Sequence, residues 1–369
     1  MSKRVVQIIF AGLVLGFIIA LGYLRATNPK GSTFLKVTPT PTPTPDPLAP
    51  KNVLMMGYGG GTHEGGLLTD TMIVAHIDPK LRTVSFISIP RDLWVPLPLL
   101  PKGVVQEKIN TAYAYGFDTK QYLDRPTQYL GDEGGANLAK YAASLVTGMQ
   151  MDAYVAVSFE GFKSVLTTLG PITVKVPFTF EDPYYPIEGK EKDTCDKSPE
   201  DVTAVTATLS GELLEHEFMC RYETVKFDKG EQVMEASPAL QFVRSRHSLM
   251  YPGDFYRSMR QQALIAGVIA KLKTLGGIVK IPSLITQVRK FIATDIAAPQ
   301  VLELMQRYGN PLDFHITRIP LTEDNVLISS QSAKGQYILV PKTGIGFDSI
   351  KLYIDQQIAT LSATPTTSK

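Results

Sequence analysis

Residues 69–92 read TDTMIVAHIDPKLRTVSFISIPRD, and this run decides the class of fold. Thr69-Asp70-Thr71 leads into Met72–Ile77, a short apolar, β-branched segment that predicts a strand. Asp78-Pro79 marks a turn, and Thr83–Ile89 predicts a second strand that stops at Pro90-Arg91-Asp92. Proline fixes the direction of exit. An Arg-Asp pair directly after a strand stands where sites on open α/β sheets usually lie.

The pattern repeats outward from this stretch. Asn52–Met56 is a short apolar run, followed by a glycine-rich loop (Gly57, Gly59, Gly60, Gly61, Gly65, Gly66). That loop lacks the Gly-Lys-Ser/Thr ending of a nucleotide-phosphate loop, so an ATPase reading is weak. Downstream, Lys108-Ile109-Asn110 opens a helix-like run through Tyr113 and Tyr115. Ala153–Ser158 alternates as a strand, and Phe162, Val165, Leu166 and Leu169 have helical spacing that ends at Gly170-Pro171. Ile172–Val176 is again a strand. Strands and helices therefore alternate, which argues for a layered α/β domain. Residues 181–235 read as an irregular excursion, Ala239-Leu240 as a helical lead-in, and Asp254–Leu275 as a long helix. Helices are expected at Gln300–Tyr308 and Ser349–Thr360, with a strand near Tyr337–Val340. No internal repeat is visible.

The chemistry concentrates in Phe242–Gln262, FVRSRHSLMYPGDFYRSMRQQ, with arginines at 244, 246, 257 and 260 and one carboxylate, Asp254. At about 100° per residue, Asp254, Arg257 and Gln261 share one face of the following helix, with Arg260 close beside it. The free N–H groups and dipole of a helix start favour an anion, and guanidinium forks suit phosphate oxygens. Taken singly, Asp254 reads equally well as an N-cap, and any one arginine as surface decoration. The group is the signal.

Net charge is +2 over 369 residues, so there is no global polyanion signal, and no zinc-ligand spacing or basic tail points to nucleic acid. Lys3 and Arg4 precede Val5–Leu24, an uncharged apolar run that as a helix spans about 30 Å, the hydrocarbon thickness. With no clear cleavage site it reads as an uncleaved, single-pass anchor, positive end inside, leaving the rest of the chain extracytoplasmic. TPTPTPTPDP at 38–47 favours extended polyproline II, a semi-rigid stalk, and the tail after Ser362 has a similar composition. Cys195 and Cys220 are the only cysteines. Outside the cytoplasm such a pair most often forms a disulfide, the alternative being two unpaired thiols.

The ordered set NVLMMG, TDTM, SIPRDLWVP, KINTAYAYG, VSFEGF, LGPITV, KGEQVM, ALQFVRSRH and DFYRSMRQQ, from Asn52 to roughly Leu275, resembles the LytR–CpsA–Psr family, also known as the cell envelope-related transcriptional attenuator domain. The resemblance implies a three-layer α/β/α sandwich with a central mixed sheet. It implies a phosphotransferase that moves a glycopolymer, such as a teichoic acid, from a polyprenyl-pyrophosphate carrier to a peptidoglycan hydroxyl, assisted by Mg²⁺. Under it, Asp70 and Asp254 belong to the metal site. Arg91, Arg244, Arg246, Arg257 and Gln261 belong to the pyrophosphate, and Asp92 positions Arg91 or acts as base toward the acceptor. Two departures stand out. Leu68 occupies a place where the family often has Arg, and Leu93–Val95 replaces a further Arg of some members; His63 and Lys108 are the available substitutes.

The expected organisation is then a cytoplasmic 1–4, an anchor at 5–24, a Thr/Pro-rich linker at 25–50, a catalytic domain at 51–275, a C-terminal extension at 276–361 packed on or continuing that domain, and a disordered tail at 362–369. Expected partners are the lipid-linked glycopolymer, the peptidoglycan acceptor and the membrane through the N-terminal helix, with no nucleic acid. A hydrolase releasing the polyprenyl phosphate to water, and a non-catalytic scaffold for lipid-linked precursors, are the alternative readings.

Overall fold

The computed structural model describes residues 46, 48–60, 66–118, 120–131, 133–209, 212–245, 247–251, 253–274, 292–296, 314–343 and 346–362. The expected anchor at 5–24, nearly all of the stalk, His63, Arg246, the helix at 300–308 and the tail lie outside them, as does the side chain of Asp254. Among the described residues no helix is long and apolar enough to cross a membrane.

The chain opens with strands β1 (Lys51–Tyr58), β2 (Thr69–Asp78) and β3 (Thr83–Ile89), then a hairpin of β4 (Trp94–Leu100) and β5 (Gly103–Lys108). Helices α1 (Thr111–Phe117) and α2 (Gly134–Thr147) follow, then β6 (Ala153–Ser158), α3 (Phe159–Leu169), β7 (Ile172–Val176) and β8 (Phe180–Pro186). Next come α4 (Pro199–Thr208), α5 (Glu212–Glu217), β9 (Tyr222–Phe227), β10 (Gly230–Met234), α6 (Ala236–Arg244) and α7 (Gly253–Thr274). The C-terminal part adds β11 (Ile292–Thr294), β12 (His315–Pro320), β13 (Leu327–Gln331), β14 (Tyr337–Pro341) and α8 (Asp348–Ser362). Two compact units result, 1–168 with 277–369, and 169–276.

The first unit is built on a six-stranded mixed sheet in the order β11-β6-β1-β2-β3-β12. Neighbours β1–β2, β2–β3 and β6–β11 run antiparallel, and β1–β6 and β3–β12 parallel. Both faces are buried. Leu54, Met56, Val74, Ile87 and Ala156 pack in one core with Leu138, Ala142 and Val146 of α2 and Ile350 and Ile354 of α8. Val53, Met55, Ala75 and Phe86, at the alternate positions, are buried as well. Helix α1 meets α2 through glycine: a Cβ on Gly116 would stand 2.1 Å from the Gly135 Cα, so no other residue fits there. Arg125 secures the connection between those helices, donating to the carbonyls of Gly116, Asp118, Gln121, Tyr122 and Tyr129. The segment after residue 275 supplies strands at both sheet edges, β11 and β12.

In the second unit β7 pairs with β10 and β8 with β9, and α6 and α7 pack alongside β10 and β7. Three strands and two helices thus occupy most of the stretch 181–235 that reads as irregular. The reason is local: β8 is FEDPYYP, with a proline, a register shift between Asp182 and Tyr185, and a buried acid where an apolar residue is expected. Cys195 and Cys220 are joined by a disulfide.

Candidate functional site

The pairing registers put Tyr58 of β1, Thr69 of β2, Ile89 of β3, Ser158 of β6 and Pro320 of β12 at one end of the sheet. This is the carboxyl end of its parallel pairs, the end at which α/β sheets carry ligands. Asp70 stands at the start of β2 there, and Arg91 and Asp92 in the turn that leaves β3. Arg91 Nη1 donates to Asp70 Oδ1 at 2.6 Å, and its Nε lies 3.4 Å from Asp92 Oδ2. Lys108, the last residue of β5, donates Nζ to Asp92 Oδ1 at 2.6 Å. Acid and base alternate through four side chains, each between a fifth and two fifths exposed.

The backbone around this row is fixed by distant segments. Buried Thr69 donates its N–H and hydroxyl to Asn110 O, at 3.1 and 3.3 Å. Asn110 N bonds Arg91 O, Ile109 N bonds Leu93 O, and Leu339 N bonds Asp92 O at 3.0 Å. The Arg-Asp turn is therefore held between the β5–α1 junction and strand β14. Lys108 enters the cluster from a strand that the sequence pattern does not announce; its signal is its place immediately before the helix-opening Ile109-Asn110.

The second unit gathers the other cations. Arg244 closes α6, donating Nη1 to Tyr185 Oη at 3.2 Å, with its guanidinium 5.5 Å over the same ring. Burial pushes the Tyr185 hydroxyl above its ordinary value, and Arg244 opposes that. Arg257 and Gln261 of α7 are half-buried. Arg260 departs from the expected cationic face. It is wholly buried, bonding the carbonyl oxygens of Phe242 and Ser245 beneath the loop. Burial draws its guanidinium down to about 10, against the pull of Asp182. One helical face thus splits into two cations of different use, because an offset of about 60° around the helix separates a half-buried side chain from one in the core.

The profile of the LytR_cpsA_psr family matches residues 28–343. The chain belongs to that family. A relative, the polyisoprenyl-teichoic acid–peptidoglycan teichoic acid transferase TagV of Bacillus subtilis, is 26% identical over 280 residues, 76% of this chain and 58% of the relative. The chain thus spans less than two thirds of that curated relative's length. Among solved structures, Bacillus subtilis TagV superposes with a TM-score of 0.54 at 24% identity, covering 86% of this chain and 99% of that one. Protein gbs0355 of Streptococcus agalactiae does so with a TM-score of 0.57 at 20% identity, covering 87% and 90%. Both likenesses bear on the fold, a mixed α/β architecture with a central mixed sheet.

Proposed function

We propose that this chain is a membrane-anchored phosphotransferase that moves a glycopolymer phosphate from a polyprenyl-pyrophosphate carrier to a peptidoglycan hydroxyl outside the cytoplasm, on a three-layer α/β/α domain. The single observation that carries this reading is the row Asp70–Arg91–Asp92–Lys108 at the carboxyl end of the sheet. The relatives' teichoic acid substrate supports the same class of donor.

Phosphoryl transfer asks a protein mainly for charge neutralisation and alignment. In the reaction the acceptor hydroxyl oxygen attacks the sugar-linked phosphorus and releases its proton to water, the bond to the bridging oxygen breaks, and polyprenyl phosphate leaves with the electron pair. Arg91 and Lys108 take phosphate oxygens, while Asp92, already engaged by both, sets their direction rather than serving as base. The family resemblance assigns Arg244, Arg246 and Arg257 to pyrophosphate as well, with Gln261 orienting it. Mg²⁺ fits the donor type: Asp70 presents hard carboxylate oxygen, and this ion needs only one or two carboxylates beside water and substrate phosphate. Asp70 and Asp254 would hold it, and when bound it would neutralise charge on the phosphates. Among the described residues the only three-membered grouping of metal-type side chains is Asp193, Cys195 and Cys220, and its sulfurs are used in the disulfide.

The test is incubation of the full chain in detergent with a polyprenyl-pyrophosphoryl glycan and peptidoglycan, with and without Mg²⁺. Sugar phosphate covalently attached to the wall polymer is the expected product. Free sugar phosphate alone would make the protein a hydrolase, and tight binding without product would make it a scaffold.

A further inference from the structure

The chain leaving α6 is fastened from two sides by residues outside the pyrophosphate clamp. Asp182 in β8 is buried, and one carboxylate oxygen accepts from Ser245 Oγ at 2.5 Å and from His247 N at 3.0 Å. Its other oxygen accepts from Tyr184 N at 3.0 Å, which locks the acid to its own strand. From the opposite side Arg260 donates Nε to Phe242 O at 3.0 Å and Nη2 to Ser245 O, with its guanidinium 4.5 Å over the Phe180 ring. Phe242, Ser245 and His247 are thereby all held, and Arg244 is joined to Ser245 through a peptide bond of fixed length.

A buried acid and a buried guanidinium are a costly way to fill a core. Apolar residues of similar volume commonly do as well or better for stability, so the two charges are better explained by what each holds. The Arg260 Nη1 atom, buried with no hydrogen-bond partner among the described residues, makes the same point. This guanidinium is retained for its two carbonyl contacts rather than for full satisfaction of its donors.

We propose that Asp182 and Arg260 are positioning residues, two buried groups that hold Phe242, Ser245 and His247 and so fix the base from which Arg244 reaches a phosphate. The inference rests on the phosphotransferase reading. Neither residue touches substrate; both act through the backbone between them. Ser245 is the link that is cheapest to cut, since Ser245→Ala removes one hydroxyl and leaves the carbonyl contact to Arg260.

The experiment uses the full chain in detergent, farnesyl pyrophosphate as the probe, calorimetric affinity, transfer kinetics and Tm. Loss of one hydrogen bond to a charged group, read out through misplaced cations, predicts roughly tenfold weaker probe binding for Ser245→Ala and Asp182→Asn. KM should rise more than kcat falls. Ser245→Thr, which keeps the hydroxyl, should restore binding. Val174→Ala, in β7 and making none of the clamp's hydrogen bonds, should lower Tm at least as much while leaving affinity unchanged. Wild-type affinity in both clamp variants, or an affinity that simply follows Tm through Val174→Ala as well, would overturn the inference. Failure of the unaltered protein to bind the probe would instead overturn the phosphotransferase reading, and the clamp proposal with it.

Discussion

Arg91 Nη1 and Asp70 Oδ1 lie 2.6 Å apart, so the first cation and the first acid of the cluster neutralise one another. Both side chains are about a third exposed, which limits the worth of this pair to about 1 kcal/mol or less. A contact that weak is easily exchanged for stronger ones. A pyrophosphate can draw the guanidinium away if something else, a proton or a divalent cation, compensates the carboxylate.

Asp70→Asn should therefore uncouple phosphate binding from metal. Without Mg²⁺ the variant is expected to bind inorganic pyrophosphate a few-fold more tightly than the unaltered protein, because Arg91 then has only Asp92, at 3.4 Å, as a carboxylate partner in the row. Added Mg²⁺ should then bring little further gain. Isothermal titration with and without the metal measures both. A variant that keeps the full metal dependence would remove Asp70 from the metal site.

Arg244→Ala should reduce transfer by roughly a hundredfold or more, the scale of losing a charge-stabilising donor in the transition state. The fold should survive, since Arg244 is only half-buried and its bond to Tyr185 Oη, at 3.2 Å, is a long one. Tyr185→Phe removes only the hydroxyl, keeps the ring on which the guanidinium stacks, and should cost far less. Turnover close to the original in Arg244→Ala would take the residue out of the clamp.

Reduction of the Cys195–Cys220 bridge should destabilise the second unit. The bridge closes a sequence separation of 25 residues, and loop closure of that order contributes about 3 kcal/mol. The enclosed α4 helix buries none of its residues, so it has no core of its own to hold it. Scanning calorimetry of Cys195→Ser with Cys220→Ser should show a lower Tm. Faster proteolysis between residues 199 and 208 should accompany it.

Stability should fall on the alkaline side. Burial raises the hydroxyls of Tyr58, Tyr113 and Tyr185, and that of Tyr154 to about 12. A raised acid keeps its proton in the folded state. Its contribution is complete below the ordinary tyrosine value of 10.0 and is lost as pH climbs through the folded value, about 12 for Tyr154. Arg260 and Arg318, each lowered to about 10, and Arg125, also lowered, act in the opposite sense over part of that range but are outnumbered by the raised tyrosines. Phenolate absorbance should show a class of tyrosines that ionises only together with loss of near-ultraviolet circular dichroism. Free titration of every tyrosine in the folded protein would contradict this.

Several features were open to reading from the chain order alone. Strand β7 buries alternate residues, and strands β2, β3 and β6 are short apolar runs bounded by turns, so all of them and the long helix α7 show in short windows. Pro90-Arg91-Asp92 follows its strand in the sequence, so its place at a sheet end needs no knowledge of distant partners. The motif order from Asn52 to Asp254 likewise identifies the family without coordinates.

Tertiary structure decided what depends on partners far along the chain. Asp182 lies in a stretch that reads as irregular until Ser245 and His247 bond to it, and Arg260 reads as one of a cationic group with Arg257 until the carbonyls of Phe242 and Ser245 meet it. Lys108 joins the site only because β5 folds back beside β4 and brings its ammonium to Asp92. Strand β12 completes the sheet beside β3 after more than two hundred intervening residues, a pairing that no local pattern encodes. The amino-acid order thus determined which elements form and which charges are available. Where each charge ends, paired in the core or presented at the sheet end, was set by desolvation and long-range contacts, and those exist only once the chain has folded.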